Sequence, residues 1–320
     1  MSPLIMITLL VIGLFSPGCV HQPPIAQVER YIKTEGLNQL PHRKLAITSF
    51  GIEFDTKLVF PPARSRHHPF RGVNYPANPG NKQVALGLTE DQMQALANQA
   101  YSQLVEDLQD AGYDIIPYET YKNLPAYQSL IDLGGHESPT SMTFKLGHPD
   151  HVIHGEALVF APSDLKWYPP PLGEVGSRLG ETLASLGSEI RLVRHGILGG
   201  AAVSQAEVNL ANTLNATLLK AYYVVSPVRN ILEAEWLEGT LPIEDQTIVG
   251  NGETRLAFRT PDAPTTHHLF GINTPPRDGN AFVRLQKDIR VKNGPTSGQD
   301  LKTYLDIIGK LFILALLVER

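Results

Sequence analysis

Apolar side chains recur with helical spacing between Thr89 and Gly112. They fall at i, i+3, i+4 and i+7, so they would line one face of a helix; they are Met93, Leu96, Ala97, Ala100, Tyr101, Leu104, Val105 and Leu108. Thr89 and Gln92 have the spacing of a capping box, and Gly112 stands where a left-handed residue ends a helix. The pattern predicts a helix from Glu90 to Ala111 that buries its apolar face on a sheet.

Runs of alternating or continuous apolar residues predict the strands of that sheet. They are Lys44–Phe54, Tyr113–Tyr118, His151–Phe160, Ala216–Val225, Thr254–Arg259 and Ala281–Val291. Ala281–Val291 alternates apolar with polar or charged residues, which is typical of a half-buried antiparallel strand.

Further helices are predicted between and after these strands. Glu119–Leu133 is a helical segment broken at Pro125, a shorter helix is predicted around residues 177–186, and the segment 134–150 is predicted to be a loop. Ser204 and Glu207 have the spacing of a second capping box, which predicts a helix from Ser204 to Asn215.

The chain closes with a predicted helix from Gln299 to Val318. Its apolar tail is interrupted by Gly309 and Lys310, and it is shorter than the roughly 20 apolar residues that a membrane span needs. We expect it to pack over the sheet, and an oligomer or membrane-surface contact is the alternative.

These elements predict an α/β (α+β) fold, with a mixed sheet, helices packed on one face and long Pro/Gly-rich loops. The chain has 320 residues, 42% of them hydrophobic, which is enough to bury a full core. We expect a signal peptide over residues 1–18 and a tether over 19–42. An α/β unit over 43–133 would follow, and 134–320 would form the second half of the same domain with loop insertions and the C-terminal helix.

The balance of charge argues against nucleic acid as a partner. The net charge is −5, from 27 Lys and Arg against 32 Asp and Glu. Nucleic-acid-binding domains carry a clustered excess of positive charge instead.

The N-terminus combines an apolar run with the chain's single cysteine. Residues 3–15 are apolar apart from one threonine and one glycine, and Gly18 and Cys19 follow shortly after. A run of this length suits the core of a signal peptide better than a membrane-spanning helix. The segment resembles a bacterial lipoprotein signal, which implies cleavage before Cys19 and its lipidation. The alternatives are an uncleaved anchor, or a chance cysteine after an ordinary signal. Val20 after the cysteine, rather than Asp, implies transfer to the outer membrane in such lipoproteins.

A basic and aromatic group of residues lies in a long polar segment, 58–88. It contains Arg64, Arg66, His67, His68, Phe70, Arg71 and Tyr75. Long loops that carry such side chains are often binding sites, so we assign partner binding to these residues; a solvated insertion is the alternative.

No motif in the sequence nominates a catalytic residue, a metal or a cofactor. His148, His151 and His154 could supply ligands for a metal-dependent hydrolase, but Pro149 interrupts any shared helix face. His151 and His154 would also point to opposite sides of a strand. We expect loop and edge-strand histidines here, with the hydrolase as an alternative function.

The order of elements resembles a group of bacterial envelope lipoproteins. The best match is residues 44–133, above all the segment from Ser102 to Leu124, and Leu210–Val225 is similar to the group's second unit. The group includes the curli secretion lipoprotein CsgG, the flagellar protein FlgT, the N-terminal domain of TolB and the penicillin-binding-protein activator LpoB. The resemblance implies an α/β periplasmic domain that binds protein partners.

From the resemblance we expect a non-enzymatic outer-membrane lipoprotein that faces the periplasm. Its partners would be other envelope proteins, with a homo-oligomer as one form of that interaction. A secretion-channel subunit like CsgG is the alternative, and it requires membrane hairpins of about ten residues per strand. Residues 189–203 and 253–272 are the candidates for such hairpins, although their arginines, histidines and prolines argue against strands that face lipid.

Overall fold

The computed structural model describes residues 28–40, 43–60, 66–68, 73–75, 82–146, 153–168, 199–227, 248–249, 254–261, 263, 267–269, 272–274, 281–286, 289 and 298–318. The helices are α1 (Val28–Tyr31), α2 (Glu90–Asp110), α3 (Tyr118–Tyr121), α4 (Pro125–Gly134), α5 (Gly199–Leu214) and α6 (Gly298–Val318). The strands are β1 (Ile32–Glu35), β2 (Lys44–Phe60), β3 (Arg66–His68), β4 (Val73–Tyr75), β5 (Lys82–Ala85), β6 (Asp114–Ile115), β7 (Thr140–Leu146), β8 (Ile153–Phe160), β9 (Thr217–Ser226), β10 (Ile248–Val249), β11 (Arg255–Arg259), β12 (His267–Leu269), β13 (Ile272–Thr274) and β14 (Ala281–Leu285).

The long strand β2 lies at the centre of a ten-stranded sheet. The order of its main path is β1-β14-β11-β9-β2-β8-β7, and β5, β6 and β10 pair at the ends of these strands. β2 is parallel to β9 and β6 and antiparallel to β8 and β5. The predicted α/β class and mixed sheet are therefore confirmed. β2 runs six residues beyond the predicted end at Phe54.

The helix α2 forms as predicted because its start and its end are both encoded locally. The Gln92 amide N–H donates to Thr89 Oγ1 at 3.3 Å, and the Thr89 N–H donates to Gln92 Oε1 at 2.9 Å, which completes the capping box. Gly112 has φ +83°, the left-handed conformation that glycine adopts without strain.

The helices α2 and α6 cover one face of the sheet. Both bury their apolar sides in the same cluster as Leu45, Ile47 and Phe50 of β2. The predicted packing of the C-terminal helix over the sheet is thus confirmed. No helix in the part of the chain that the structure describes is long and apolar enough to cross a membrane.

The opposite face of the sheet carries α3, α4 and α5. Ala46, which alternates with Leu45 and Ile47, lies in a second apolar cluster with Tyr121, Leu130 and Leu210. The helices therefore cover both faces, whereas the sequence predicted one. The difference arises because β2 and β9 are apolar on both sides, as strands enclosed between two layers are.

The folded part begins earlier than the predicted tether allows. β1 pairs antiparallel with β14, and Val28 and Ile32 are only 7% and 4% exposed in the main core. Residues 28–40 thus belong to the fold, and the tether predicted over 19–42 is corrected at this end. Val28 and Ile32 are apolar residues four positions apart, a spacing that is typical of a segment with one buried side.

Other boundaries also differ from the predictions. β7 occupies residues 140–146 within the predicted loop and pairs with residues 153–159 of β8. The predicted strand Tyr113–Tyr118 is only the two-residue β6, because α3 begins at Tyr118. The helix predicted around 177–186 lies outside the described residues.

Candidate functional site

Four of the seven predicted partner-binding residues lie on a small hairpin. β3 and β4 pair antiparallel, with Arg66 opposite Tyr75, His67 opposite Asn74 and His68 opposite Val73. The backbone thus brings Arg66, His67, His68 and Tyr75 of the predicted group together. Arg64, Phe70 and Arg71 lie outside the described residues, as does Cys19.

The predicted metal ligands are only partly described. His154 lies on β8 and is exposed, while His148 and His151 fall outside the described residues. In the part of the chain that is described, no group of three His, Cys, Asp or Glu residues could hold a metal ion.

The two candidate membrane hairpins coincide in part with other elements. Residues 199–203, at the end of the first candidate, begin the helix α5. In the second, β11 is buried between β9 and β14. Residues 199–203 and 255–259 therefore belong to the folded domain, whereas residues 267–269 pair with β13 in a separate two-stranded sheet.

A buried charge cluster that the sequence did not predict joins α5 to the sheet. Lys220 Nζ on β9 lies 2.5 Å from Glu207 Oε1, and Arg259 Nε on β11 lies 3.2 Å from Glu207 Oε2. The side chains of Lys220, Glu207 and Arg259 are 7%, 1% and 0% exposed. Three charged groups of one network are therefore enclosed between a helix and two strands.

Glu207 is an interior residue of α5 and not part of a capping box. The helix begins at Gly199, five residues before Ser204, so Ser204 and Glu207 lie on consecutive turns of its buried side. The prediction of a second capping box is therefore wrong. A Ser-x-x-Glu spacing also places both residues on one side of a helix interior, and the sequence pattern does not distinguish the two situations.

Tyr168 lies between the charge cluster and β2. Its hydroxyl is 2.7 Å from Thr48 Oγ1, and its backbone N–H donates to Ser49 Oγ at 3.1 Å. Lys220 Nζ lies 5.5 Å from the centre of the Tyr168 ring, which adds a cation–π contact. A register shift in β2 between Ile47 and Ser49 accompanies these two hydroxyl contacts.

The electrostatics of the cluster favour a charged carboxylate. Burial by itself would raise the pKa of Glu207, but the charges of Lys220 and Arg259 outweigh it and hold that pKa below its ordinary value. Burial, with the nearby Glu207 charge, raises the pKa of Tyr168 well above 10.0. Glu207 is thus an anion held between two cations, and Tyr168 is a neutral phenol.

The same face continues along β2 and β9 as a polar and aromatic surface. The Tyr222 hydroxyl donates a short hydrogen bond to Glu53, and the Trp167 ring packs 6.4 Å from the Tyr222 ring. Glu53 is 1% exposed. The site therefore consists of buried polar contacts. They hold the helix α5 and the segment that ends at Tyr168 against the sheet.

Comparison of the chain with protein-family models, with curated proteins and with solved structures gave no match.

Proposed function

We propose that this protein is a non-enzymatic outer-membrane lipoprotein whose periplasmic α/β domain binds protein partners in an envelope assembly. The observation that carries the proposal is the apolar run over residues 3–15 followed by Gly18 and Cys19, the only cysteine of the chain. A lone cysteine shortly after a signal-peptide core, and directly after a glycine, resembles the position at which bacterial lipoproteins are lipidated.

The start of the fold supports the same proposal. Val28 is buried in the core, only nine residues after Cys19. Nine residues span at most about 30 Å, so a lipid on Cys19 would hold the domain directly at the membrane surface. The partner-binding surface of such a protein would lie within reach of other envelope proteins.

Partner binding is assigned to the β3–β4 hairpin. The hairpin places Arg66 opposite Tyr75, and arginine and tyrosine are enriched in the energetically important parts of protein interfaces. Crosslinking in the cell should capture a partner with the wild-type protein and lose it with Arg66→Ala/Tyr75→Ala. The control is Arg43→Ala, which removes an exposed arginine elsewhere.

Metabolic labelling with an alkyne analogue of palmitate tests the anchor. We expect label on the wild-type protein in the outer-membrane fraction and none on Cys19→Ala. Label that persists on Cys19→Ala, or an unlabelled wild-type protein, would contradict the proposed function.

A further inference from the structure

The strand β2 extends past its neighbour β9 and forms an arm at one end of the sheet. The last pair between them is Phe54 with Val225, after which β5 takes the place of β9 beside β2. On the other side, β8 and β7 continue along the arm. We define the arm by four strand ends in the order β7-β8-β2-β5, which are Phe144–Leu146, Ile153–Glu156, Thr56–Phe60 and Lys82–Ala85.

The chain enters the fold at the same end of the sheet as the arm. β9 is parallel to β2, and each step from β9 to β11, β14 and β1 is antiparallel, so β1 runs opposite to β2. Gly51, Tyr222, Arg255, Arg284 and Lys33 are paired in turn across the sheet, which places β1 level with the middle of β2. The start of β1, and α1 before it, therefore lie toward the arm.

The length of the arm is similar to the maximum reach of the segment between Cys19 and Val28. From Ile52, which is level with the start of β1, to Phe60 there are eight residues, and a strand of eight residues extends about 26 Å. The nine residues from Cys19 to Val28 reach at most about 30 Å. A lipid on Cys19 and the tip of the arm can therefore meet the same plane.

The arm is basic in a protein that is acidic as a whole. The sequence between Asp55 and Glu90 has no Asp or Glu, and two of its five Lys and Arg residues, Lys57 and Lys82, lie on the arm, although the whole chain has a net charge of −5. On the described arm the only carboxylate is Glu156, whose Oε1 lies 2.9 Å from Lys57 Nζ. Lys82 and Lys145 are the further cations of these strand ends.

We propose that the arm lies against the anionic phospholipid headgroups of the membrane to which Cys19 is anchored, and so forms a second attachment beside the lipid. The inference rests on the proposed function, because it takes the membrane from the lipidated Cys19. A basic patch beside a lipid anchor adds to the membrane attachment, since the negative surface potential attracts Lys and Arg within about a Debye length. The proposal also fixes the orientation of the domain, with the arm toward the membrane and the Lys44 end of β2 away from it.

The test uses fluorescent labels at two exposed glutamines on opposite ends of the sheet. Gln83 pairs with Val59 on the arm, and Gln109 lies near the far end, where β6 pairs with Lys44. The fifteen residues from Lys44 to Val59 correspond to about 50 Å of strand. Gln83→Cys and Gln109→Cys would each carry an environment-sensitive dye in the purified mature lipoprotein, and iodide quenching would measure exposure to water.

Vesicles of equimolar phosphatidylglycerol and phosphatidylethanolamine are compared with vesicles of phosphatidylcholine. We expect iodide to quench the dye at position 83 at least about threefold less on the anionic vesicles, and this protection to disappear near 1 M salt, where the Debye length is about 3 Å. The dye at position 109 should be quenched equally on both. Equal quenching of both dyes on both vesicles would overturn the proposal, as would protection of position 83 that appears only when another envelope protein is added.

Charge reversal gives the matched comparison. Lys82→Glu/Lys145→Glu should abolish the protection at position 83, while Arg43→Glu/Lys44→Glu, the same charge change at the far end of β2, should preserve it. Loss of protection in both variants, with both folded by circular dichroism, would overturn the proposal.

The anchor is tested separately, because a lipidated Cys19 has no thiol that can take up dye. Dye on the wild-type protein would contradict the proposed function, whereas an unreactive Cys19 with an exposed position 83 would contradict only the arm.

Discussion

At the scale of single residues, Glu207 is a charged carboxylate enclosed in the interior of the protein. Its two carboxylate oxygens are held by Lys220 and Arg259, and it is 1% exposed. Charges enclosed in this way are costly to desolvate, and their mutual attraction offsets that cost only while all partners are present. Removing one member therefore matters far more than breaking a pair on the surface.

We predict that Glu207→Gln destabilises the protein by about 3–5 kcal/mol, because it leaves two buried cations without their anion. Urea unfolding followed by circular dichroism would measure the change. The control is Glu119→Gln, which breaks the exposed ion pair with Lys122 and should cost less than about 1 kcal/mol. A Glu207→Gln protein as stable as the control would contradict this account of the cluster.

The difference in stability between wild type and Glu207→Gln should depend on pH, and the direction of the pKa shift of Glu207 decides how. The folded state lowers the pKa of Glu207 below its unfolded value of 4.5. Its carboxylate thus contributes stability above that pH, and the contribution is lost as the pH falls through the folded pKa. The gap between wild type and Glu207→Gln should be constant near neutral pH and shrink as the pH falls below 4.5.

The sequence was least informative at this residue. The partners of Glu207 are 13 and 52 positions away along the chain, and no local pattern encodes contacts of that kind. The Ser-x-x-Glu spacing instead suggested a helix start. Gly112 is the opposite case, since its left-handed conformation was predicted from its place after an apolar helical run.

At the scale of elements, α2 and α6 pack against each other with half-buried carboxylates at their contact. A Cβ on Gly309 of α6 would lie 3.6 Å from Asp107 Oδ2 of α2. Burial raises the pKa of Asp107; Gln103 and Lys310 oppose this, and Asp110 and Glu106 add to it. Burial also raises the pKa of Asp306 on α6, against the charges of Lys302 and Lys310. The side chain of Tyr223, which is close to both carboxylates, is buried.

We predict that Asp107→Asn stabilises the protein at neutral pH. A carboxyl whose folded pKa is raised destabilises the fold once the pH exceeds that pKa, so the neutral amide removes a penalty. The amide also keeps an oxygen for the Gln103 Nε2 donor, which lies 2.9 Å from Asp107 Oδ1. Thermal melts should show a higher midpoint at pH 7, and the gain should vanish below about pH 3.8, the unfolded value. Asp110→Asn, at an exposed position of the same helix, should change the free energy of unfolding by less than about 0.5 kcal/mol; an equal effect of both variants would contradict the argument.

Elements with local signals were the ones that the sequence predicted well. α2 has its cap, its apolar face and its glycine stop within one segment, and Pro125 marks the start of α4 as expected. β7 was missed because its residues, Thr140–Leu146, follow a stretch rich in Gly, Ser and Pro, and its pairing with β8 decides its conformation. The extension of β2 was missed for a related reason, since β5 and β8 supply its partners.

At the scale of the whole molecule, the sheet gathers strands from most of the chain around β2. β1, from the segment before β2, lies at one edge, and β7, from the middle of the chain, lies at the other. The domain therefore depends on residues that the sequence assigned to a tether. It also has two distinct ends, with the arm and the chain entry at one and the α2–β6 connection at the other.

We predict that a protein starting at residue 36 is less stable than one starting at residue 28. The shorter protein loses β1 and the buried side chains of Val28 and Ile32. Each buried aliphatic side chain is worth about 1.5–3 kcal/mol, so the loss should be about 3–6 kcal/mol. Urea midpoints measure it, and equal midpoints for both proteins would show that residues 28–35 are a tether after all.

The central claim is that Cys19 carries the lipid that holds this domain at the membrane. The most direct measurement is the intact mass of the full-length gene product purified from the membrane fraction, with fragmentation of its N-terminal peptide. The account predicts a mature chain that begins at Cys19, with a diacylglyceryl thioether on Sγ. A chain that retains residues 1–18, or one that begins elsewhere with an unmodified Cys19, would contradict it.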